Sequence, residues 1–231
     1  VCKELLENAL DAGASAISTE LERGGLTYIR ITDNGCGIAP EQLPTAFLRH
    51  ATSKLRRPED LAAIGTLGFR GEALAAIAAV SRVDIFSRQT GADCGAMLHL
   101  EGGVPEAVTE AGCPDGTTVC IRDLFYNTPA RRKFLKSAET EASHVEHQIR
   151  LHALAYPQVR FTYKRDDQLV FDLPATADLR VRISALTDAA TAAALIPIET
   201  TIGPGISVTG FLLPLSEARR TRKGQYVFMN T

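Results

Sequence analysis

The residue types best suited to chemistry crowd into the first dozen positions. From Lys3 the chain reads Lys-Glu-Leu-Leu-Glu-Asn-Ala-Leu-Asp-Ala, ending at Ala12. As a helix, this stretch sets Glu4, Glu7, Asn8 and Asp11 at i, i+3, i+4 and i+7, on one stripe, and turns Leu5, Leu6, Ala9 and Leu10 toward a core. Carboxylates at these spacings repel one another, and no Lys or Arg is expected on the stripe to relieve them. A hydrated cation with a phosphate chain would. The amide oxygen of Asn8 is a hard ligand for Mg²⁺, and Glu4 can polarise an attacking water. Taken alone, the stripe also fits an ordinary solvated helix face.

Other candidates follow in order. Asp33-Asn34-Gly35-Cys36-Gly37 puts a carboxylate at the end of a strand and then two glycines that let backbone press against a flat ligand. Asp33 would accept from an exocyclic amine such as that of adenine, although Asp-Asn-Gly is also common turn chemistry. Gly65-Thr66-Leu67-Gly68-Phe69-Arg70-Gly71-Glu72 feeds a small-residue helix at Ala73–Val80. A glycine-rich loop entering a helix N-terminus suits phosphate, with Gly68, Arg70 and Gly71 as the cradle. The stretch from Ala51 to Gly71 has the make-up of a lid. Asp115-Gly116-Thr117-Thr118 opens a strand that can place a hydroxyl beside Asp33. Arg131, Arg132, Lys133 and Lys136 form a basic run after Pro129, read either as a phosphate-contact patch or as a solvated face. His144 and His147 are i,i+3, but no further His or Cys stands at ligand spacing, so metal is disfavoured there. There is no P-loop signature, and neither a Ser/His/Asp nor a Cys/His constellation can be defended.

The elements that must position these groups read as follows. After the first helix, Gly13 caps it, and Ala16–Glu22 and Leu26–Thr32 form a hairpin around Gly24-Gly25. Glu41–Arg49 is a helix, and 83–88, 96–100 and 117–122 are strands. Thr128 and Pro129 supply the N-cap and first position of a short helix. Thr140–Ala155 is a long helix, 159–163 and 169–173 are a hairpin, and 174–177 is a linker. A second unit then opens with a helix at Leu179–Leu186, a polar, small-residue segment, and strands at 206–213 and 225–229. This puts a domain boundary near residue 176. The 231 residues are 45% hydrophobic, enough for a sizeable core, and the net charge of −2 leaves any basic surface local. No stretch approaches the length of a membrane span. The five cysteines are scattered, without a Cys-x-x-Cys, as in a cytoplasmic protein with reduced thiols. Opening on Val1 rather than Met, the chain reads as a fragment cut at both ends.

Five blocks in fixed order resemble the N-terminal ATPase region of the MutL DNA mismatch repair family, part of the superfamily shared with gyrase, heat-shock chaperone ATPases and histidine kinases. They are Lys3–Ala14, Asp33–Ile38, Arg49–Lys54 (Arg-His-Ala-Thr-Ser-Lys), Gly68–Leu74 (Gly-Phe-Arg-Gly-Glu-Ala-Leu) and Asp123–Leu135. The resemblance is dense up to Leu135 and thin beyond Asp178. It implies an α/β two-layer sandwich with a mixed, mostly antiparallel sheet of Bergerat type over 1–175. The start of a ribosomal-S5-like domain over 176–231 would follow. It makes Glu4 the general base, Asn8 the Mg²⁺ ligand and Asp33 the adenine reader. Gly35, Gly37, Gly116 and Thr117 would lie around the base. Thr52, Ser53 and Lys54, and the segment Gly68, Phe69, Arg70, Gly71, Glu72, Ala73 and Leu74, would lie around the phosphates. Implied cofactors are ATP and Mg²⁺. Implied partners are a second MutL-type subunit on ATP binding, a MutS-type mismatch recognition protein, and DNA held weakly and without sequence preference. A membrane is not among them. The family's chain also carries an N-terminal arm and a downstream γ-phosphate lysine, and it reads Asn-Gly where Asn230-Thr231 stands here. This stretch by itself is therefore expected to bind and hydrolyse nucleotide poorly. A topoisomerase-type ATPase and a DNA-binding scaffold without hydrolysis remain the alternatives.

Overall fold

The computed structural model describes residues 1–48, 72–203, 205–217 and 224–229. The chain begins with α1 (Cys2–Asp11), β1 (Ala16–Glu22) and β2 (Tyr28–Asp33). Then come α2 (Leu43–Ala46), α3 (Ala73–Ala78), β3 (Arg82–Arg88), β4 (Gly95–Glu101), β5 (Val104–Pro105), β6 (Thr109–Ala111) and β7 (Gly116–Arg122). It continues through α4 (Pro129–Arg132), α5 (Ala138–Ala155), β8 (Arg160–Arg165) and β9 (Gln168–Leu173). The last elements are α6 (Leu179–Leu186), α7 (Ala189–Ala193), β10 (Ile196–Ile202) and β11 (Ile206–Leu212). The large sheet runs in the order β5-β4-β3-β7-β2-β1-β8-β9, with β6 pairing β4 from the side. Its only parallel pair among the described strands is β1 with β8. The mixed, mostly antiparallel sheet is thus as expected.

Side-chain alternation gives this sheet one apolar face. Leu100, Val83, Ile121, Ile29 and Leu21 form one cross-strand row, and Leu98, Ile85, Val119 and Ile31 the next. Leu5, Leu6 and Ala9 of α1, Ile77 and Ala78 of α3, and Ala142, Ile149 and Ala153 of α5 belong to the same buried cluster. Each fully buried aliphatic side chain here contributes about 1.5–3 kcal/mol. The opposite face of the sheet is polar.

Several expectations need correction. Glu7 does not share the open stripe of α1. It is buried, and the Lys3 ammonium lies over it at 2.9 Å, one turn back. The helix expected over Glu41–Arg49 is a 3-10 turn at Pro40–Gln42 followed by the four residues of α2. Pro40 and Pro44 each stand in the first turn of one of these two short elements. The polar, small-residue segment contains α7 and β10, and β10 pairs with β11 as a separate two-stranded sheet. Gln225 to Met229 is not a strand. Thr128 precedes Pro129 as expected but makes no capping bond, and its buried hydroxyl has no hydrogen-bond partner. Residue 176, where a boundary is expected, lies between β9 and α6, and α6 packs on α5.

Candidate functional site

The apolar face of the sheet ends in a polar row. Continuing the register one step beyond Leu98, Ile85, Val119 and Ile31 brings Ala96, Ser87, Thr117 and Asp33 side by side. Asp33 is the last residue of β2 and is buried. Its carboxylate accepts the Gly35 N–H at 2.8 Å and the N–H of Thr117 across the strand pair. Burial pushes the Asp33 carboxyl above its usual range, and those two N–H groups pull partly back. A carboxylate carried inside a core at this cost is a candidate reader of a donor-bearing ligand.

Ser87 ties the row together. Its hydroxyl donates to the Gly116 carbonyl at 2.9 Å, lies 2.9 Å from Thr117 Oγ1, and accepts the Ile38 N–H at 2.8 Å. The Thr117 hydroxyl thus faces Ser87, while its backbone N–H serves Asp33. Sequence reasoning missed Ser87, although a signal existed: it stands in the core phase of β3, after Val83 and Ile85. Asn34 was also missed. Its side-chain oxygen accepts the N–H groups of Ser15 at 2.9 Å and Ala16 at 2.8 Å, and its amide donates to Ser15 Oγ at 2.8 Å. Asn34 therefore clamps the loop after Asp33 to the start of β1.

The glycines let backbone segments pack closely. A Cβ on Gly35 would sit 2.7 Å from the Ala12 Cβ and carbonyl oxygen, and the Cys36 N–H donates to that same oxygen at 2.9 Å. Gly37, at φ +70°, would place a Cβ 2.1 Å from the Arg88 carbonyl oxygen, and Gly116, at φ +103°, one 2.1 Å from that of Asp33. These glycines let three backbone segments close on one another and so seat the loop between the end of α1 and the end of β3.

That docking brings α1 to the site. Ala12 caps α1 and Gly13 follows with φ +73°, as expected for a helix stop. Asn8 lies one turn back from the capping residue and Glu4 one turn further, both half-buried, on the stripe that continues to Asp11. The stripe and the Asp33 row are thus joined through Ala12. Glu72 precedes α3, and Ala73 and Leu74 form its first turn; the early N–H groups of a helix have no partner within it. The remaining predicted phosphate contacts, Thr52, Ser53, Lys54, Gly68, Phe69, Arg70 and Gly71, lie outside the described residues, as does the lid from Ala51 to Gly71. His144 and His147 belong to no group of three metal-ligating side chains among the described residues. His152, also on α5, is buried, with Nδ1 2.7 Å from the Gln148 carbonyl oxygen, a contact within its own helix.

Residues 1–108 match the family model described as histidine kinase-, DNA gyrase B- and HSP90-like ATPase. The DNA mismatch repair protein MutL of Akkermansia muciniphila is 68% identical over all 231 residues, and that of Desulforamulus reducens 44% identical over 230. The chain spans 36% of the length of each of these two relatives. Among solved structures, the Aquifex aeolicus MutL ATPase domain complexed with ADP is 30% identical and superimposes with a TM-score of 0.71. That match covers 91% of this chain and 73% of the other. With a mixed sheet whose polar end holds a buried Asp33 beside α1, and with these matches, the chain belongs to the ATPase region of the MutL DNA mismatch repair family.

Proposed function

We propose that the protein containing this region binds ATP with Mg²⁺ and hydrolyses it slowly, using the nucleotide as a switch in mismatch repair. One observation carries the reading: Asp33 keeps a buried carboxylate at the polar end of the sheet, where an amine donor such as that of adenine would satisfy it. The neighbour complexed with ADP supports a nucleotide at this fold. Gly35, Gly37, Gly116 and Thr117 shape the wall around the base, and Ser87 holds that wall. The phosphates then run along α1 toward Asn8 and Glu4, with Ala73 and Leu74 at the start of α3 beside them.

The donor set suits Mg²⁺, which keeps several waters and takes few protein ligands together with substrate phosphates. Asn8 would hold it through its amide oxygen; when bound, the ion supplies charge neutralisation on the phosphate oxygens. Glu4 accepts a proton from water as the water oxygen bonds to the γ-phosphorus. The bond from that phosphorus to the bridging oxygen breaks, releasing ADP and inorganic phosphate. Closure of the 51–71 segment over the phosphates and pairing with a second subunit would convert binding into a signal for a mismatch-recognition partner. A second, S5-like unit is proposed to begin after residue 176. A cytoplasmic setting fits the reading, and no helix among the described residues is long and apolar enough to cross a membrane.

The test uses the full-length protein. Glu4→Ala should bind ATP near the parent affinity and lose about 10²–10⁴ in turnover, the usual worth of a positioned general base. Asn8→Ala should instead weaken the Mg²⁺-dependent part of binding. Parent-like turnover in Glu4→Ala would remove Glu4 from the chemistry.

A further inference from the structure

Asn34-Gly35 is the only Asn-Gly pair in the chain; Asn8, Asn127 and Asn230 precede Ala9, Thr128 and Thr231. The difference is chemical. The backbone nitrogen that follows an asparagine can attack that asparagine's side-chain Cγ, and a Cβ on the following residue hinders the approach. Glycine has no Cβ and takes up the backbone angles the approach needs. Asn34 is exposed, so water reaches it.

In the closed loop both reacting groups are occupied. The Gly35 N–H donates to the Asp33 carboxylate at 2.8 Å, and Gly35 is buried. The Asn34 side-chain amide is tied to the start of β1 by both of its ends. Its oxygen accepts the N–H groups of Ser15 at 2.9 Å and Ala16 at 2.8 Å, and its nitrogen donates to Ser15 Oγ at 2.8 Å. Bringing Cγ onto the Gly35 nitrogen breaks these bonds, so the reaction waits on a local opening of the loop.

We propose that Asn34 is a site of spontaneous covalent modification, in which the Gly35 nitrogen displaces the Asn34 amide whenever the clamp to Ser15 and Ala16 opens. The Gly35 nitrogen bonds to Asn34 Cγ, and its proton passes through water to Nδ2. The Cγ–Nδ2 bond breaks and ammonia leaves. Water then opens the succinimide ring. Cleavage at Cγ leaves an aspartate; cleavage at the backbone carbonyl carbon leaves an isoaspartyl link, with the main chain rerouted through Cβ and Cγ.

The isoaspartyl product does not fit the fold. It adds a methylene to the main chain between Asp33 and Gly35. A Cβ on Gly35 would already stand 2.7 Å from the Ala12 carbonyl oxygen, and the Cys36 N–H holds that same oxygen at 2.9 Å. Gly35 is forced away from α1, and its N–H away from Asp33. The clamp is thus a guard on the Asp33 row. The modification stands on the sequence pair and the clamp; its effect on ATP affinity rests on the nucleotide reading above.

The test incubates the full-length protein at mildly alkaline pH and follows the Asn34 peptide by mass spectrometry, with fragmentation that tells isoaspartyl from aspartyl. The folded parent should accumulate both products at Asn34 and neither at Asn127. In urea the rate at Asn34 should rise about tenfold or more, the equivalent of roughly one hydrogen bond of the clamp. Ser15→Ala keeps the backbone N–H and loses only the hydroxyl. It should react up to about tenfold faster than the parent when folded, and at the parent's rate in urea. The isoaspartyl form, separated by ion exchange, should melt below the parent. Three results would each overturn the proposal: a folded parent that stays unmodified while its unfolded chain reacts, equal rates in folded parent, Ser15→Ala and urea, or an isoaspartyl form with the parent's melting temperature. An isoaspartyl form that melts low yet binds ATP like the parent supports the modification and counts against the adenine-reading role of Asp33.

Discussion

Asp33 shows what a single residue contributes against the interest of stability. Its carboxyl titrates above the ordinary range because it is buried, despite the N–H groups of Gly35 and Thr117. The folded state therefore binds that proton more tightly than the unfolded chain. The sign follows: stability falls as pH rises from the ordinary aspartate value through the raised one, and the ionised group is carried at neutral pH at a cost. Urea melts at stepped pH should show the parent losing stability relative to Asp33→Asn across that window. Affinity should move the other way. An amide can present its NH₂ to the amine of adenine and leave a donor unpaired at ~1–3 kcal/mol, roughly fivefold to 150-fold in Kd. Calorimetry giving equal ATP affinity in the two proteins would end the adenine-reading role. Spacing put Glu4 and Asn8 on one helix stripe, and the family resemblance, not the spacing, gave them roles. Ser87 was legible only as a residue in the core phase of β3; its partners, Ile38, Gly116 and Thr117, come from other segments.

At the scale of elements, strand phase was the readable signal and pairing was not. Alternation of Val83 and Ile85, or of Ile29 and Ile31, marks a strand with one buried face, and these strands formed where expected. The outer face shows what alternation leaves out. Asp84 on β3 lies between His99 of β4, at 2.5 Å, and Arg122 of β7, so three strands are tied by one carboxylate. Burial raises the Asp84 carboxyl, but the His99 and Arg122 contacts outweigh it and hold it below its usual value. A depressed carboxyl stabilises the fold above the ordinary aspartate range and loses that stabilisation as pH falls through the depressed value. Asp84→Asn should therefore be less stable than the parent at pH 7, and the gap should close as acid is added. A gap in urea midpoint that stays constant from neutral pH into acid would mean that the ion pairs contribute nothing. β10 was missed although Ile196, Ile198 and Ile202 share one phase, because Pro197 within the run argues against a strand.

The whole molecule is joined at one buried cation. Arg182, on α6, is 1% exposed, and its Nη2 donates to the carbonyls of Pro157, Val159 and Pro174, each at 2.8 Å. Those carbonyls belong to the turn after α5 and to the end of β9, so one side chain pins the helix after the linker to the sheet before it. Arg182→Met would fill the space but leave the Val159 and Pro174 carbonyls without the guanidinium, while the Pro157 carbonyl keeps the Thr176 N–H. With ~1–3 kcal/mol for an unsatisfied buried group, the loss should be about 2 kcal/mol or more in urea unfolding. Amides of Leu179–Leu186 should exchange faster than those of α5. Parent-like stability and exchange would show that α6 is held by apolar packing alone. Nothing in the local sequence marks Arg182, since a charged residue on a helix is ordinarily solvated. Local physics in the sequence settled the acidic helix with its glycine stop, the Asp33 turn and the strand phases of the sheet, and the resemblance of five ordered blocks pointed to the family. Spacing and alternation are properties of a few neighbouring residues. Tertiary structure decided which strands adjoin, and with that the Ser87–Thr117–Asp33 row, the burial of Glu7 under Lys3, the closure of the glycines on protein backbone, and the pin at Arg182. Each of these depends on groups that meet only when distant segments pack, which no short window of sequence contains.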